Sequence, residues 1–430
     1  MTFLSFSPII FLFVMFLLRV PIAMSLLIAT AYYFGVVNTF MPKETMIQTI
    51  VASTESFPYL AIPFFTCAGV VFNYAGITNR LMKLAVLLVG HLRGGMAQVN
   101  VAMSALMGGL SGSANADAAM TTKIVVPEME KLGYDRGFST VVTAASACIT
   151  PIIPPGIILI LYALVADVSV AKIFLAGYLP GLVICAVLMI TVAILASFRG
   201  YPRSRDRRAS AREILRQLGE STWALLLPFG IIMGLRFGVF TPTEAGAISV
   251  VYALFVGGVI YRELKIKDLP AILEESVIAT ASVMFIICAA NAFASYLTWE
   301  GIPALVSTFL LNSVDSPLML LLLINVILLI VGLFFEGGSA MILMTPLIFP
   351  AAMQMGIDPI HLGILMSVNL TIAGFTPPVG TMMFITISIA KVRMEEYVRQ
   401  SWPFLIALLV ALGLITYIPQ ISLWLPNWLL

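Results

Sequence analysis

Two short polar segments interrupt apolar stretches of this 430-residue chain, and their residues could bind a small cation. The first, residues 108–117, is rich in Gly, Ser and Asn and ends at Asp117; the second, residues 334–339, carries Glu336. Non-helical backbone facing lipid would leave its polar groups unsatisfied, so each segment must be buried in protein or line a watery cavity. Turned backbone at that depth exposes carbonyl and hydroxyl oxygens, which are hard ligands suited to a small cation.

Two Pro-Pro pairs break two further apolar runs, at residues 150–156 and 374–380. Each proline frees a carbonyl about one turn back, and the residue before it is pushed out of helical geometry. Each break therefore predicts two half-helices, whose positive ends suit an anionic group and whose free carbonyls suit a cation. Polar residues that we expect to line such a site are Ser146, Thr150, Asn369, Thr371 and Thr376.

An internal repeat relates these segments to one another. When the sequence is shifted by 223 residues, several backbone-determining Gly and Pro residues meet the same residue type without a gap. The matches are Gly109 with Gly332, Thr122 with Thr345, Pro127 with Pro350, Gly133 with Gly356, Asp135 with Asp358, and Pro154 and Pro155 with Pro377 and Pro378. We predict a first repeat over residues 1–216 and a second over residues 217–430.

The composition places these elements in a membrane. The chain is 60% hydrophobic and 10% charged, whereas soluble proteins carry about 25% charged residues. Predicted spans are residues 3–19, 21–37, 57–76, 138–165, 173–198, 223–240, 243–260, 277–297, 359–390 and 402–425. Residues 96–131 and 319–356 are too long for one span and are predicted to be hairpins, while residues 138–165 and 359–390 are the broken helices. Residues 43–56 and 265–276 are predicted to be interfacial helices.

The distribution of basic residues predicts the orientation. With a periplasmic N-terminus and hairpins that enter and leave on one side, all 23 Lys and Arg residues except Lys43, Lys172 and Arg236 become cytoplasmic. The cytoplasmic set includes Arg19 and the Arg-rich loop at 199–216. Each half then crosses the membrane an odd number of times, which gives inverted-topology repeats. The C-terminus is expected to be periplasmic, with Trp424 and Trp428 at the outer interface. The apolar residues 3–18 are expected to form a retained helix, because no basic region precedes them.

Several activities are disfavoured by what the sequence lacks. No GxxxxGK[ST] nucleotide motif is present, and the four Cys and two His residues have no metal-ligand spacing. An intramembrane serine protease would need a base beside Ser111, but His91 and His361 lie outside the broken helices. A channel would need a symmetric pore, whereas two inverted repeats favour alternating access. A proton-coupled carrier that uses Asp117 and Glu336 stays an alternative; no enzyme activity and no nucleic-acid binding are expected.

Five motifs carry a resemblance to a known family: SGSANADA at 111–118, PIIPP at 151–155, FTPTEAGA at 240–247, ILMTP at 342–346 and FTPPVG at 375–380. Over essentially its whole length the chain resembles the large membrane subunit of tripartite ATP-independent periplasmic (TRAP) transporters. The resemblance implies a bacterial inner-membrane carrier in which a transport domain, made of the hairpins and broken helices of both repeats, moves as an elevator against an interleaved scaffold. It also implies sodium coupling, a small four-helix membrane subunit, a periplasmic binding protein, and a carboxylate substrate such as a dicarboxylate or sialic acid.

The resemblance also implies ligands for the ions and the substrate. One sodium ion would be held by Ser111, Gly112, Ser113, Asn115, Thr150 and Pro151. A second would be held by Glu336, Gly337, Gly338, Ser339, Gly374 and Thr376. We assign substrate binding to Asp117, Ser146, Pro154, Pro155, Asn369, Thr371, Pro377 and Pro378.

Overall fold

The computed structural model describes residues 3–18, 20–38 and 42–430, and this part of the chain is helical with no β-strand. The predicted all-α fold class is therefore confirmed. Arg19, which was counted among the cytoplasmic basic residues, lies outside the described residues. Seven of the described helices are long and apolar enough to cross a membrane.

The described residues of the first half form ten α-helices. They are α1 (Phe3–Leu17), α2 (Ile22–Tyr32), α3 (Glu44–Glu55), α4 (Ala61–Tyr74), α5 (Ile77–Val89), α6 (Gly95–Ser111), α7 (Ala114–Lys131), α8 (Arg136–Ser146), α9 (Ile157–Val165) and α10 (Val170–Arg199). A π-helical turn, Tyr33–Val37, extends α2, and a 3₁₀ turn, Phe57–Leu60, precedes α4.

The second half contains ten more. They are α11 (Ala211–Arg236), α12 (Pro242–Phe255), α13 (Leu269–Trp299), α14 (Ile302–Ser313), α15 (Pro317–Phe334), α16 (Gly337–Gln354), α17 (Pro359–Phe375), α18 (Thr381–Ala390), α19 (Met394–Tyr417) and α20 (Gln420–Leu429). A π-helical turn, Val256–Ile260, extends α12, and a 3₁₀ turn, Ile266–Asp268, precedes α13.

The secondary structure recurs at the offset found in the sequence. Helix α16 begins and ends 223 residues after α7, and the π-helical turn after α12 lies 223 residues after the turn that follows α2. Both Pro-Pro bonds, Pro154-Pro155 and Pro377-Pro378, are cis. The pairs α6–α7 and α15–α16 occupy the two predicted hairpins, and the pairs α8–α9 and α17–α18 occupy the two predicted broken helices. The predicted division at 216/217 falls within α11.

Three local predictions differ from the structure. Residues 265–276 form no separate interfacial helix; from residue 269 they belong to the 31-residue α13, because no Gly or Pro after Pro270 interrupts it. Helix α11 begins at Ala211 and not near 223, since Ser210 and Glu213 form a capping box that starts the helix within the Arg-rich segment. Helices α5, α14 and α20 were not predicted.

Candidate functional site

The tip of the first hairpin is seated on the first helix break. Gly112 joins α6 to α7 with a left-handed φ of +58°. Its carbonyl accepts a hydrogen bond from the Ile157 N–H at 3.2 Å, and a Cβ at this position would lie 2.2 Å from the Pro155 carbonyl oxygen. Only glycine combines this backbone conformation with so close an approach.

A buried carboxylate lies just behind this tip. Asp117, in the first turn of α7, is fully buried, and its Oδ2 accepts a hydrogen bond from Thr150 Oγ1 at 2.8 Å. Within the described residues, Asp117 Oδ1 and Ser111 Oγ are buried without a hydrogen-bond partner. Buried polar atoms are normally satisfied, so these two oxygens are candidate ligands for an ion, a water or a substrate group.

At the tip of the second hairpin, the acid Glu336 caps the helix that begins there. Glu336 precedes α16, and its Oε2 accepts hydrogen bonds from the backbone N–H groups of Gly338 (3.0 Å) and Ser339 (3.3 Å). Ser113, the residue at the same position of the repeat, caps α7 by accepting from the Ala116 N–H at 3.4 Å. Glu336 therefore satisfies orphan donors of a helix N-terminus, where its negative charge is also favoured. The hydroxyl of the fully buried Ser339 has no partner among the described residues.

A cavity of about 120 Å³ lies between the two hairpin tips. Its wall comes from both tips, from the second half of each broken helix, from the end of α17 and from α13. The lining residues are Gly112, Ser113, Ala114, Asn115, Pro151, Ile157, Ile158, Leu161, Val283, Ile286, Ile287, Glu336, Gly337, Gly338, Ser339, Ile342, Leu370, Thr371, Gly374, Thr381 and Met382.

Helix N-termini dominate the electrostatics of this cavity. In the described part of the chain, α7, α9, α16 and α18 all begin at its wall. Each helix N-terminus is equivalent to about half a positive charge, and those first-turn N–H groups that no cap or neighbouring carbonyl satisfies can bind an anion. Among the described residues that form the lining there is no Lys, Arg or His, and Glu336 is the one charged side chain. The cavity can therefore bind an anionic group through backbone dipoles, while its carboxylate and carbonyl oxygens can bind a cation.

At the cavity, each hairpin tip contacts a helix from the other half of the chain. Thr381 Oγ1, at the start of α18, donates to Asn115 Oδ1 on the first hairpin at 3.3 Å. On the second hairpin, a Cβ at Gly337 would lie 3.4 Å from Ile158 Cδ1, and one at Gly338 would lie 3.1 Å from Leu161 Cδ1. The second tip thus packs against α9 of the first half.

The predicted site residues divide into two groups. Those that line the cavity are Gly112, Ser113, Asn115, Pro151, Glu336, Gly337, Gly338, Ser339, Thr371 and Gly374. Those outside the lining are Ser111, Asp117, Ser146, Thr150, Pro154, Pro155, Asn369, Thr376, Pro377 and Pro378. Their assignments to ions or substrate stay predictions.

Ser146 and Asn369, which are related by the 223-residue offset, hold helices together. Ser146 Oγ accepts from Ser104 Oγ of α6 at 3.1 Å, and Asn369 Nδ2 donates to Asn325 Oδ1 of α15 at 2.7 Å. All of these residues are buried. Each bond therefore ties the first arm of a hairpin to the broken helix of the same half.

Several lining residues were missed from the sequence. Thr381 directly follows the second break, so its position at a helix N-terminus could have drawn attention to it. Val283, Ile286 and Ile287 of α13 lie in an ordinary apolar run. No sequence signal separates such residues from those that face lipid.

Comparison with known proteins reveals extensive similarity. A family model described as "Tripartite ATP-independent periplasmic transporter, DctM component" matches residues 9–421. The chain is 40% identical over 377 residues to the C4-dicarboxylate TRAP transporter large permease protein DctM of Pseudomonas aeruginosa, which covers 88% of each chain. It is 36% identical to the sialic acid TRAP transporter permease SiaT of Haemophilus influenzae, over 98% of this chain and 68% of that one. It is 37% identical to the 2,3-diketo-L-gulonate TRAP transporter large permease YiaN of Escherichia coli, over 95% of this chain and 96% of that one.

Two solved transporters share the fold. The YdaH transporter of Alcanivorax borkumensis superposes with a TM-score of 0.65 at 15% identity, over 95% of this chain and 98% of that one. The antimetabolite efflux pump MtrF of Neisseria gonorrhoeae superposes with a TM-score of 0.60 at 14% identity, over 97% of this chain and 96% of that one. At these identities the likeness concerns the fold alone.

The first hairpin tip gives a prediction about glycine. Gly112→Ala should abolish solute uptake, because the new Cβ would meet the Pro155 carbonyl oxygen and displace the tip from the helix break. Gly133→Ala is the matched control: Gly133 also has positive φ, at +86°, but nothing lies within 4 Å of the added Cβ. The control should lose about 1 kcal/mol of stability and keep its uptake. Equal uptake by both variants, at equal membrane abundance, would contradict this account of the tip.

Proposed function

We propose sodium-coupled uptake of a small organic anion for this chain, which belongs to the DctM family, the large permease component of tripartite ATP-independent periplasmic transporters. Membership of the family is shown by the match to residues 9–421 and by relatives of up to 40% identity, and those relatives are transporter permeases and not enzymes. The observation that carries the proposal is the convergence of four helix N-termini on one cavity between two hairpin tips.

A carboxylate is the substrate group that this cavity suits. Helix N-termini can bind anions through free N–H groups without a basic side chain, and no described residue of the lining has a basic side chain. The relatives' names give C4-dicarboxylate, sialic acid and 2,3-diketo-L-gulonate, all of which carry a carboxylate. We therefore propose that the substrate places a carboxylate against the first turns of α7, α9, α16 and α18.

Sodium is the proposed coupling ion because the surrounding ligands are hard oxygens. Near the first break, Asp117 Oδ1 and Ser111 Oγ have no hydrogen-bond partner among the described residues. At the second hairpin tip the same is true of Ser339 Oγ, beside the Glu336 carboxylate. Carboxylate and hydroxyl oxygens are suitable cation ligands. Each net charge that enters contributes about 2.3 kcal/mol per 100 mV of membrane potential.

Elevator movement and two partner proteins complete the proposal. The hairpins and broken helices would move together, and the cavity wall contributed by α13 would be left behind on the scaffold. A small four-helix membrane subunit would enlarge that scaffold, and a periplasmic binding protein would deliver the anion. We propose an inner-membrane location with both termini periplasmic and residues 199–216 cytoplasmic, on the distribution of basic residues.

Proton coupling is a second candidate, favoured by the burial of Asp117 and by its unpartnered Oδ1. A buried carboxyl group can bind and release a proton even at a position that cannot hold a sodium ion. The two coupling ions are distinguishable because a proton-driven carrier needs no sodium and follows the pH gradient.

Uptake into proteoliposomes distinguishes the two. With the small subunit and the periplasmic binding protein supplied, we expect radiolabelled organic acid to accumulate with an inward sodium gradient and not with potassium. Succinate, sialic acid and other organic acids are compared in parallel to identify the substrate class. Accumulation that follows a pH gradient in sodium-free buffer would support the proton-coupled candidate and refute the sodium proposal.

Removal of the charge at Glu336 tests the second ion site. Glu336→Gln keeps an oxygen that can cap α16 but loses the negative charge, so the sodium concentration for half-maximal uptake should rise by roughly tenfold. Glu44→Gln, at an exposed glutamate at the start of α3, is the control and should leave that concentration unchanged. An unaltered sodium dependence in Glu336→Gln would remove Glu336 from the ion site.

A further inference from the structure

A second cavity, of about 280 Å³, shares no described lining residue with the cavity between the hairpin tips. It forms where the loop between α5 and α6 meets the loop between α10 and α11. It is lined by His91, Leu92, Arg93, Arg203, Asp206 and Arg208. This wall thus holds three arginines and one acid. Basic residues that serve only to orient a chain in the membrane do not need to be gathered around one cavity.

The arginine-rich loop is docked onto the protein at this cavity. The N–H groups of Ser204 and Arg205 both donate to the Gly90 carbonyl, at 3.0 and 3.1 Å, and the Gly95 N–H donates to the Pro202 carbonyl at 3.2 Å. Tyr201 stacks on Tyr134 with ring centroids 4.5 Å apart. These bonds fix the backbone on both sides of Arg203, so the cavity is a built feature of the fold.

The arginines in the cavity wall differ from their neighbours in charge pairing. Arg199 pairs with Asp135 at 3.8 Å, and Arg205 and Arg207 both pair with Glu213 at 3.4 Å. In the described part of the chain, no ion pair involves Arg93, Arg203 or Arg208, and Arg93 donates instead to the neutral Ser197 Oγ at 3.1 Å. Nearby acids thus pair with Arg199, Arg205 and Arg207, whereas the three arginines of the cavity wall face a single acid, Asp206.

One further polar atom at the cavity is unsatisfied. His91 Nδ1 is buried and has no hydrogen-bond partner within the described residues. Buried polar atoms are normally satisfied, so this nitrogen indicates a missing partner. With the adjacent guanidinium groups, which match the oxygens of a phosphate in bidentate fashion, the cavity offers donors to an oxyanion.

The position of the cavity indicates where the oxyanion comes from. The cavity adjoins the end of α10, a 30-residue apolar helix whose last turn contains Phe198, 85% exposed. In the orientation proposed above, a basic cavity at the end of such a helix is placed at the level of the cytoplasmic lipid headgroups, where anionic lipids attract basic residues. We propose that this cavity binds the phosphate group of an anionic phospholipid, whose acyl chains lie beside Phe198. The proposal is independent of the transported substrate and of the coupling ion.

Native mass spectrometry of the full-length chain tests this site. Phosphatidylglycerol is the probe, phosphatidylcholine is the zwitterionic comparison, and inorganic phosphate is added as a competitor. The site variant is Arg203→Gln with Arg208→Gln. The control variant is Arg212→Gln with Arg216→Gln, which removes the same charge from the same basic segment but not from the cavity wall.

We expect phosphatidylglycerol to remain bound to the parent chain and the control, and to bind the site variant at least roughly tenfold more weakly. Phosphatidylcholine should bind weakly to all three. Equal loss in both variants would overturn the site, because it would show attraction to the basic segment as a whole. Absence of retained phosphatidylglycerol would overturn it as well. Displacement of the lipid by millimolar inorganic phosphate would overturn the lipid source and assign the cavity to a soluble phosphate.

Discussion

The need to satisfy every backbone N–H and C=O group inside a bilayer is the constraint on which this structure depends. A helix that crosses without interruption meets it alone, but α7, α9, α16 and α18 begin inside the protein. Their first turns find partners at one place, where hairpin tips meet helix breaks. Side chains cap two of them, Ser113 on α7 and Glu336 on α16. The remaining polarity of the helix ends is what makes the cavity suitable for an anion and a cation together.

The repeat explains why the polarity is concentrated in this way. Each half contributes one hairpin and one broken helix, and a buried polar pair ties them together: Ser104 with Ser146, and Asn325 with Asn369. The hairpin tips also contact the opposite half, as in the hydrogen bond that Thr381 donates to the first hairpin. Within a half the ties are buried and rigid, whereas at the cavity the contacts join the two halves. This arrangement is what the proposed mechanism requires, in which the hairpins and broken helices move as one body around the ligand.

Much of this architecture was predictable because Gly and Pro determine backbone geometry locally. The breaks at 150–156 and 374–380 and the 223-residue offset followed from such residues, and the structure has non-helical chain at both breaks. The start of α11 is also encoded in the sequence, by the capping box from Ser210 to Glu213, which precedes the apolar run of that helix. The contribution of α13 to the cavity wall could not be predicted, because residues that face lipid and residues that face a cavity are equally apolar. Contacts between the halves depend on tertiary packing, about which local patterns carry no information.

Accessibility of the cavity wall to a thiol reagent tests the central claim most directly. Cysteine is introduced by Ala114→Cys in a chain whose four native cysteines are replaced, with Glu55→Cys at an exposed position as the control. Sodium and the transported anion together should slow maleimide reaction several-fold in Ala114→Cys and leave the control unchanged. If Ala114→Cys still transports but reacts at the same rate with and without these ligands, the cavity between the hairpin tips is not the binding site.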